Sequence, residues 1–383
     1  MRAASLALSL LLTLHGAAAQ AQSPGGDLPD IGTPASTTLS LIDEYKIGLM
    51  IVRSMRDAGQ IVDDPEVNEY LQALGMRLAS QAHEGAHRFN FFAVKDSGIN
   101  AFALPGGFIG VNAGLVTATR NESELAGVLA NEIAHVTQRH IARSMQNAGR
   151  SNMASAAAIL AAILIGATTG MPSDAVLGTV TAAQGLAAQQ QISFTRANES
   201  EADRVGIGVL AAAGFDPGAM PDFFWTLQQR AGSAGRNIPD LLRSHPVTTE
   251  RIAETRDRVK EHERPRHEDT TSYPLIRARL AVQSLPPEAA FRDLYGSARS
   301  ADLPSTEGEL YGRALALMRA DAAGEAVPLL QDLLERRPDV TLYRTALGQA
   351  QLEAGRIAAS RTTLEEAMRL FPRNVPVTMR YAE

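Results

Sequence analysis

Residues 130–140 read ANEIAHVTQRH. The run carries N-E-x-x-H, one residue away from H-E-x-x-H, a helical pattern in which two histidines four apart bind zinc and the glutamate serves as general base. On a helix, positions 131 and 135 lie about 40° apart around the axis and share a face. Only His135 of that pair is a good ligand, because Asn131 offers a neutral amide oxygen where an imidazole nitrogen is expected. His140 cannot substitute from the same continuous helix, since five residues of rotation place it about 140° from His135. Taken alone, an E-x-x-H pair is weak, so the rest of the chain has to decide.

The bulk numbers narrow the choices. With 383 residues the chain fits roughly two domains of about 100–200 residues each. Hydrophobic residues make up 45 % and aromatics only 5 %, which predicts an Ala/Leu/Val-rich, helical core. A net charge of −6 argues against nucleic acid or an anionic membrane held by bulk charge. Cysteine is absent, which excludes a thiol nucleophile, a disulfide framework and any thiolate zinc site. Histidine, aspartate and glutamate are the strong metal ligands left.

The opening residues, with one arginine, an apolar stretch from Leu6 to Leu14 and Ala19-Gln20-Ala21, read as a secretory signal peptide over 1–21. The apolar stretch is short for a bilayer span. In a bacterium this places the mature chain in the periplasm. A Gly/Pro/Thr-rich linker over 22–38 follows, and 39–82 is a helical tract in which Asp64 and Pro65 open a second helix. Residues 87–96 and 99–116 read as strands with a turn at Pro105-Gly106-Gly107. Asn121 then caps a strong helix, with Glu124 completing a capping-box pattern and Gly149 as its stop.

Residues 153–171 are the most apolar of the mature chain, but Ala, Ser, Thr and Gly dilute them. A lid or hairpin over a cleft is the preferred reading, with a bilayer span as the alternative. Residues 198–217 form another helix closed by Gly214 and Pro217, and the charge-dense 248–269 reads as a solvated helix end running into a linker. In the tail, aligning Pro338 with Pro372 sets a 34-residue period that matches Ala314 with Gly348, Ala326 with Ser360 and Leu330 with Leu364. That is the small-and-large pattern of tetratricopeptide helix pairs. The last residues, VPVTMRYAE, look like the opening helix of a third unit, which would need a polar cap, a docking surface or further chain.

Four stretches occur in one order: NAFALPGGFIGVNAGLV before the helix, ANEIAHVTQRH on it, NESEADR (198–204), and SHPVTTER (244–251). Together they resemble the family of periplasmic zinc metallopeptidases typified by the beta-barrel assembly-enhancing protease, whose relatives include the membrane-bound prenyl-protein proteases. The order of signal peptide, peptidase domain and C-terminal repeats is also that of the family. The resemblance covers nearly the whole mature chain. It implies a mostly α fold with a small β-sheet, a zincin-like α+β peptidase domain over 39–265, a linker and helical connector over 266–305, and an α-helical tetratricopeptide-repeat domain over 306–383. It further implies one Zn2+ per chain held by His135 and Glu199, catalysis by Glu132 with Asp203 as proton donor or support, and a His245 able to close over the zinc. Arg251 falls in the family's H-P-x-x-x-x-R pattern, where a salt-bridge role is expected.

Asn131 departs from the pattern. Losing one ligand of a site worth roughly 10–16 kcal/mol could cost a few kcal/mol, about a hundredfold in affinity. The expectation is therefore weak zinc binding and strongly reduced peptidase activity. The implied clients are unfolded or stalled outer-membrane proteins, with the repeats holding the outer-membrane assembly machinery and the lid a candidate for membrane contact. The main alternative is a pseudoprotease that uses its cleft and repeats as a chaperone or scaffold. A helical interaction module with chance motifs is the remaining one.

Overall fold

A computed structural model describes residues 40–82, 88–147, 196–233, 239–263, 267–287, 289–290, 294 and 306–383. The signal segment, the 22–38 linker, the 153–171 lid and part of the 266–305 connector lie outside the described residues.

Two capped helices come first. Helix α1 (Leu41–Asp57) opens on Ser40, whose hydroxyl accepts from the Asp43 amide. Helix α2 (Pro65–Ala79) opens on Asp64, whose carboxylate accepts from the Val67 amide, with Pro65 in the first turn. There proline loses nothing, because first-turn amides have no intrahelical partner. Strands β1 (Asn90–Val94), β2 (Ala101–Leu104) and β3 (Phe108–Asn112) form one sheet in the order β1-β3-β2. β1 runs parallel to β3, and β2 pairs antiparallel with it across the 105–107 turn. Gly106 and Gly107 have φ of +78° and +83°, and a Cβ on Gly107 would sit 2.0 Å from the Arg88 carbonyl oxygen, so this turn requires glycine. The outer edge of β1 is covered, with the Val62 amide donating to Ala93 and the Lys95 amide to Gln60. β2 is the other edge. The strand expected over 99–116 stops at Asn112, where helix α3 (Ala113–Ala118) begins. An apolar run of that length does not separate strand from buried helix by periodicity.

Helix α4 (Glu122–Thr137) is buried on every side. Asn121 caps it by accepting from the Glu124 amide, while Glu124 reaches back to the Arg120 amide rather than to the cap residue. A helix expected to run on to Gly149 instead ends at Gln138, and α5 (His140–Asn147) starts anew. Between them Arg139 takes φ +51°. That costly conformation for an arginine is held by its guanidinium on Glu44 of α1, at 3.2 Å from Nε and 2.5 Å from Nη2. Among the described residues of this unit four further helices follow: α6 (Arg196–Ala212), α7 (Ala219–Ser233), the short α8 (Asp240–Ser244) and α9 (Thr249–Val259). The 248–269 segment is less solvated than expected, since Arg251, Ile252, Thr255 and Val259 form a buried stripe on α9.

Helix α6 crosses α4 closely at a glycine. A Cβ on Gly206 would lie 3.1 Å from the Ala130 carbonyl carbon and 3.2 Å from the Asn131 nitrogen. The gap between the two backbones, and so the separation of residues 131–135 from residues 199–203, depends on that missing methyl. Gly206→Val is expected to destabilise by about 1–3 kcal/mol through overpacking and to weaken metal binding. Gly208→Val, where nothing lies within 4 Å, is the control. Urea unfolding and zinc titration of both variants check this, and equal behaviour would remove the close-approach argument.

Helix α10 (Ser272–Gln283) joins the peptidase unit to two helical hairpins, α11 (Glu307–Arg319) with α12 (Ala323–Arg336) and α13 (Thr341–Glu353) with α14 (Ile357–Leu370). Every bound recurs at an offset of 34 residues, as does the start of α15 (Val375–Ala382). Ala314, Ala326, Leu330, Leu364 and Ser360 are all buried. Helix α15 folds back on α2, with Arg380 paired to Glu66 at 2.8 Å and Asn374 donating to Glu69 at 3.1 Å.

Candidate active site and metal centre

The two central helices and the chain after α8 bring every sequence-named residue into one buried cluster. His135, Glu199 and His245 each offer one donor atom, and these atoms lie within 4.8 Å of one another. His135 Nε2 is 3.5 Å from Glu199 Oε1, and His245 Nδ1 is 2.9 Å from the same oxygen. Two imidazoles and a carboxylate form a donor set that suits zinc. Burial pushes the His135 imidazole down to about 3, against the pull of Glu199, so it is neutral with a lone pair to give. Burial would push the Glu199 carboxyl up, but His245, His135 and Arg251 hold it well below the usual range.

Glu132 is fully buried beside this set, and neither of its oxygens has a well-formed hydrogen bond among the described residues. His245 Nε2 lies 3.4 Å from Glu132 Oε1. Burial raises the Glu132 carboxyl to about 7, with His245 and the Ala103 amide opposing the rise. A buried carboxylate left short of partners is costly unless a bound group supplies them. The Ala103 amide can reach it because of strand geometry. Asn112 donates to Asn100, so the alternation of antiparallel pairing turns the Ala101 and Ala103 peptide groups outward, toward the edge of β2 that no strand among the described residues pairs.

Asn131 does not join the donor group. Its Nδ2 donates to Asp203 Oδ1 at 2.9 Å. Asp203 in turn accepts two bonds from Arg251, Nε to Oδ2 at 2.7 Å and Nη2 to Oδ1 at 2.8 Å. Arg251 Nη1 also meets Glu199 Oε2 at 2.7 Å. Burial lifts the Asp203 carboxyl above its ordinary value despite this pairing. Arg251 thus carries one positive charge against two carboxylates and fixes the orientation of both.

At His140 the assumption of one continuous helix fails, although His140 is not in the donor group. The break at Gln138–Arg139 swings it back, so that its Nδ1 lies 2.8 Å from His135 Nδ1 and its Nε2 lies 3.0 Å from Glu201 Oε2. The 140° separation held only for an unbroken helix. The break rests on a contact with Glu44, far away in the chain, and leaves no local signal.

The model of Peptidase family M48 matches residues 65–259, which contain the whole cluster. The beta-barrel assembly-enhancing protease of Yersinia pestis is 36 % identical over 378 residues, covering 95 % of this chain and 75 % of that protein. The beta-barrel assembly-enhancing protease of Escherichia coli K12 is 37 % identical over 318 residues, covering 82 % of this chain and 64 % of that protein. Helices outside the peptidase unit are included in these matches. The chain belongs to peptidase family M48, the zinc metalloendopeptidases, and within it to the group of the beta-barrel assembly-enhancing proteases.

Proposed function

We propose that this chain is a periplasmic zinc-dependent endopeptidase that serves the assembly or quality control of outer-membrane proteins, with turnover lowered by Asn131. The observation that carries the reading is the convergence of His135, Glu199 and His245 beside the partner-poor Glu132. Those three residues would hold the zinc, which when bound supplies a Lewis acid for the substrate's peptide carbonyl. Glu132 is the group that takes a proton from the attacking water, and a carboxyl raised to about 7 is matched to that task near neutral pH. Asp203 and Arg251 hold Glu199 in place. An extended substrate would add to the free edge of β2, where the outward Ala101 and Ala103 groups give sequence-tolerant pairing next to Glu132.

The names of the relatives support unfolded or stalled outer-membrane proteins as clients. The 34-residue spacing of the C-terminal helices supports tetratricopeptide repeats, and on this reading they hold the assembly machinery. No helix among the described residues is long and apolar enough to cross a membrane. The periplasmic location rests on the signal-peptide reading of residues 1–21, and the lid role of 153–171 on composition.

One observation favours a second reading, a pseudoprotease that works as a scaffold. The Asn131 amide nitrogen donates to Asp203, and position 131 offers a metal at most a neutral amide oxygen. Counting zinc per chain by elemental analysis, with casein digestion on the same samples, separates the two. The native chain is expected to hold zinc and to cut casein slowly. Glu132→Gln is expected to keep the zinc and lose at least about a hundredfold in cleavage, the scale of a general base. Zinc without cleavage in the native chain would move the scaffold reading ahead.

A further inference from the structure

His140 and Glu201 lie outside the donor set, yet they are joined to it through a line of polar contacts. On the reading that His135 is a zinc ligand, we propose that Glu201 and His140 are positioning residues that lock the His135 proton on Nδ1 and so present Nε2 to the metal. The argument is one of donors and acceptors. A neutral imidazole carries one N–H and one lone pair. His135 Nδ1 and His140 Nδ1 are 2.8 Å apart, so one of them donates and the other accepts.

If His140 gave its proton from Nδ1, its Nε2 lone pair would face the Glu201 Oε2 lone pairs at 3.0 Å, a repulsive contact. If His140 keeps its proton on Nε2, it donates to Glu201 and accepts from His135 Nδ1–H. The groups from Glu201 to His135 Nδ1 are then matched, and the one lone pair left facing a carboxylate, His135 Nε2 toward Glu199 Oε1, meets it at 3.5 Å rather than at 3.0 Å. Glu201 thereby breaks the symmetry of the histidine pair. Arg143 Nη2, 2.6 Å from the same Glu201 oxygen, anchors the carboxylate from α5. The His135 atom left with its lone pair is Nε2, the one that faces Glu199.

The relay has particular weight in this chain. With Asn131 turned to Asp203, His135 is the single donor that α4 contributes. Partners of this kind set ring orientation and ligand basicity, and losing one typically costs 10–100-fold in metal affinity. The break at Arg139 that defeated the sequence reading is the feature that makes the relay, because it returns His140 to the ring it supports.

Two measurements test it. Long-range 1H–15N correlation spectra of the metal-free, histidine-labelled chain near neutral pH should show His135 protonated on Nδ1 and His140 on Nε2. Glu201→Leu should shift His135 toward a mixture or toward Nε2. In a chelator competition, Glu201→Leu should weaken zinc binding about 10–100-fold. Glu201→Gln, whose amide oxygen still accepts from His140, should retain most of the affinity. The Glu201 side chain is 30 % exposed, so these variants are expected to fold, unlike changes at the buried His140. A native His135 protonated on Nε2 overturns the proposal, as does unchanged affinity in Glu201→Leu. If the native chain binds no zinc at all, the zinc reading fails, while the spectra still decide the relay.

Discussion

Asn131→His is expected to tighten zinc binding about a hundredfold and to raise casein hydrolysis by at least about tenfold. The new imidazole would stand one helical turn before His135 on the same face of α4, already directed at the space between α4 and α6. An imidazole is a far better zinc donor than a neutral amide, and a ligand in a site worth roughly 10–16 kcal/mol is worth a few of them. The change gives up the 2.9 Å bond from Asn131 to Asp203, a loss of about 1 kcal/mol. Asp203 keeps both bonds to Arg251, so it is not left unpaired. The larger effect is on His245. On the proposed reading it has to serve as a ligand in the native chain, and with histidine at 131 it would be free to leave and open a position for substrate. Zinc affinity by chelator competition and casein cleavage should therefore rise together. Tighter zinc with unchanged cleavage would mean that the site is disabled somewhere besides residue 131. No change in either would mean that the three native donors already suffice.

What the sequence disclosed and what it hid follow a physical division. Asp64 with Pro65, the Asn121 cap and the 105–107 turn are local arrangements, each legible because its cause lies within a few residues, and the 34-residue recurrence was legible as self-similarity along the chain. The α3 boundary was missed because the run through Asn112 and Ala113 is as apolar in one form as in the other. Long-range causes were invisible. His140 reaches His135 through a backbone conformation that Glu44 holds, and a reading of α4 alone had no means of including Glu44. The buried stripe of α9 was hidden for the same reason. Arg251 is one more charge in T-E-R-I-A-E-T-R by composition; the resemblance implied its salt bridge, and the fold supplies the partners, Glu199 and Asp203. The motif order picked out residues that the fold brings together. It carried no information on how Asn131 is oriented, which the packing of α4 against Asp203 decides.

The same kind of hidden long-range pairing ties the peptidase unit to the repeats, and Arg279→Met is expected to cost about 3–5 kcal/mol there. Arg279 of α10 is buried, with Nε on Asp64 Oδ2 at 2.7 Å, Nη2 on Glu66 Oε2 at 3.1 Å and Nη1 on the Tyr311 hydroxyl at 2.9 Å. It therefore links the start of α2 to the first repeat helix. Methionine fills much of the space but leaves two buried carboxylates with less compensation. Arg380 relieves Glu66, at 2.8 Å, more than Asp64, at 3.9 Å. The pH dependence gives a check that a packing defect would not pass. Burial would raise the Asp64 carboxyl, but Arg279, the Val67 amide and Gln283 together hold it below its ordinary value. Its folded value lies below its unfolded one, so its stabilising contribution is present above about pH 4 and is lost as pH falls through the folded value. Without Arg279 the folded value rises, and the carboxylate becomes a burden wherever it is ionised. Urea unfolding should thus show a large deficit for Arg279→Met at pH 7 and a clearly smaller one at pH 3, where Asp64 is largely protonated in the variant. Equal deficits at the two pH values would assign the loss to shape alone and remove the charge network as the joint between peptidase and repeats.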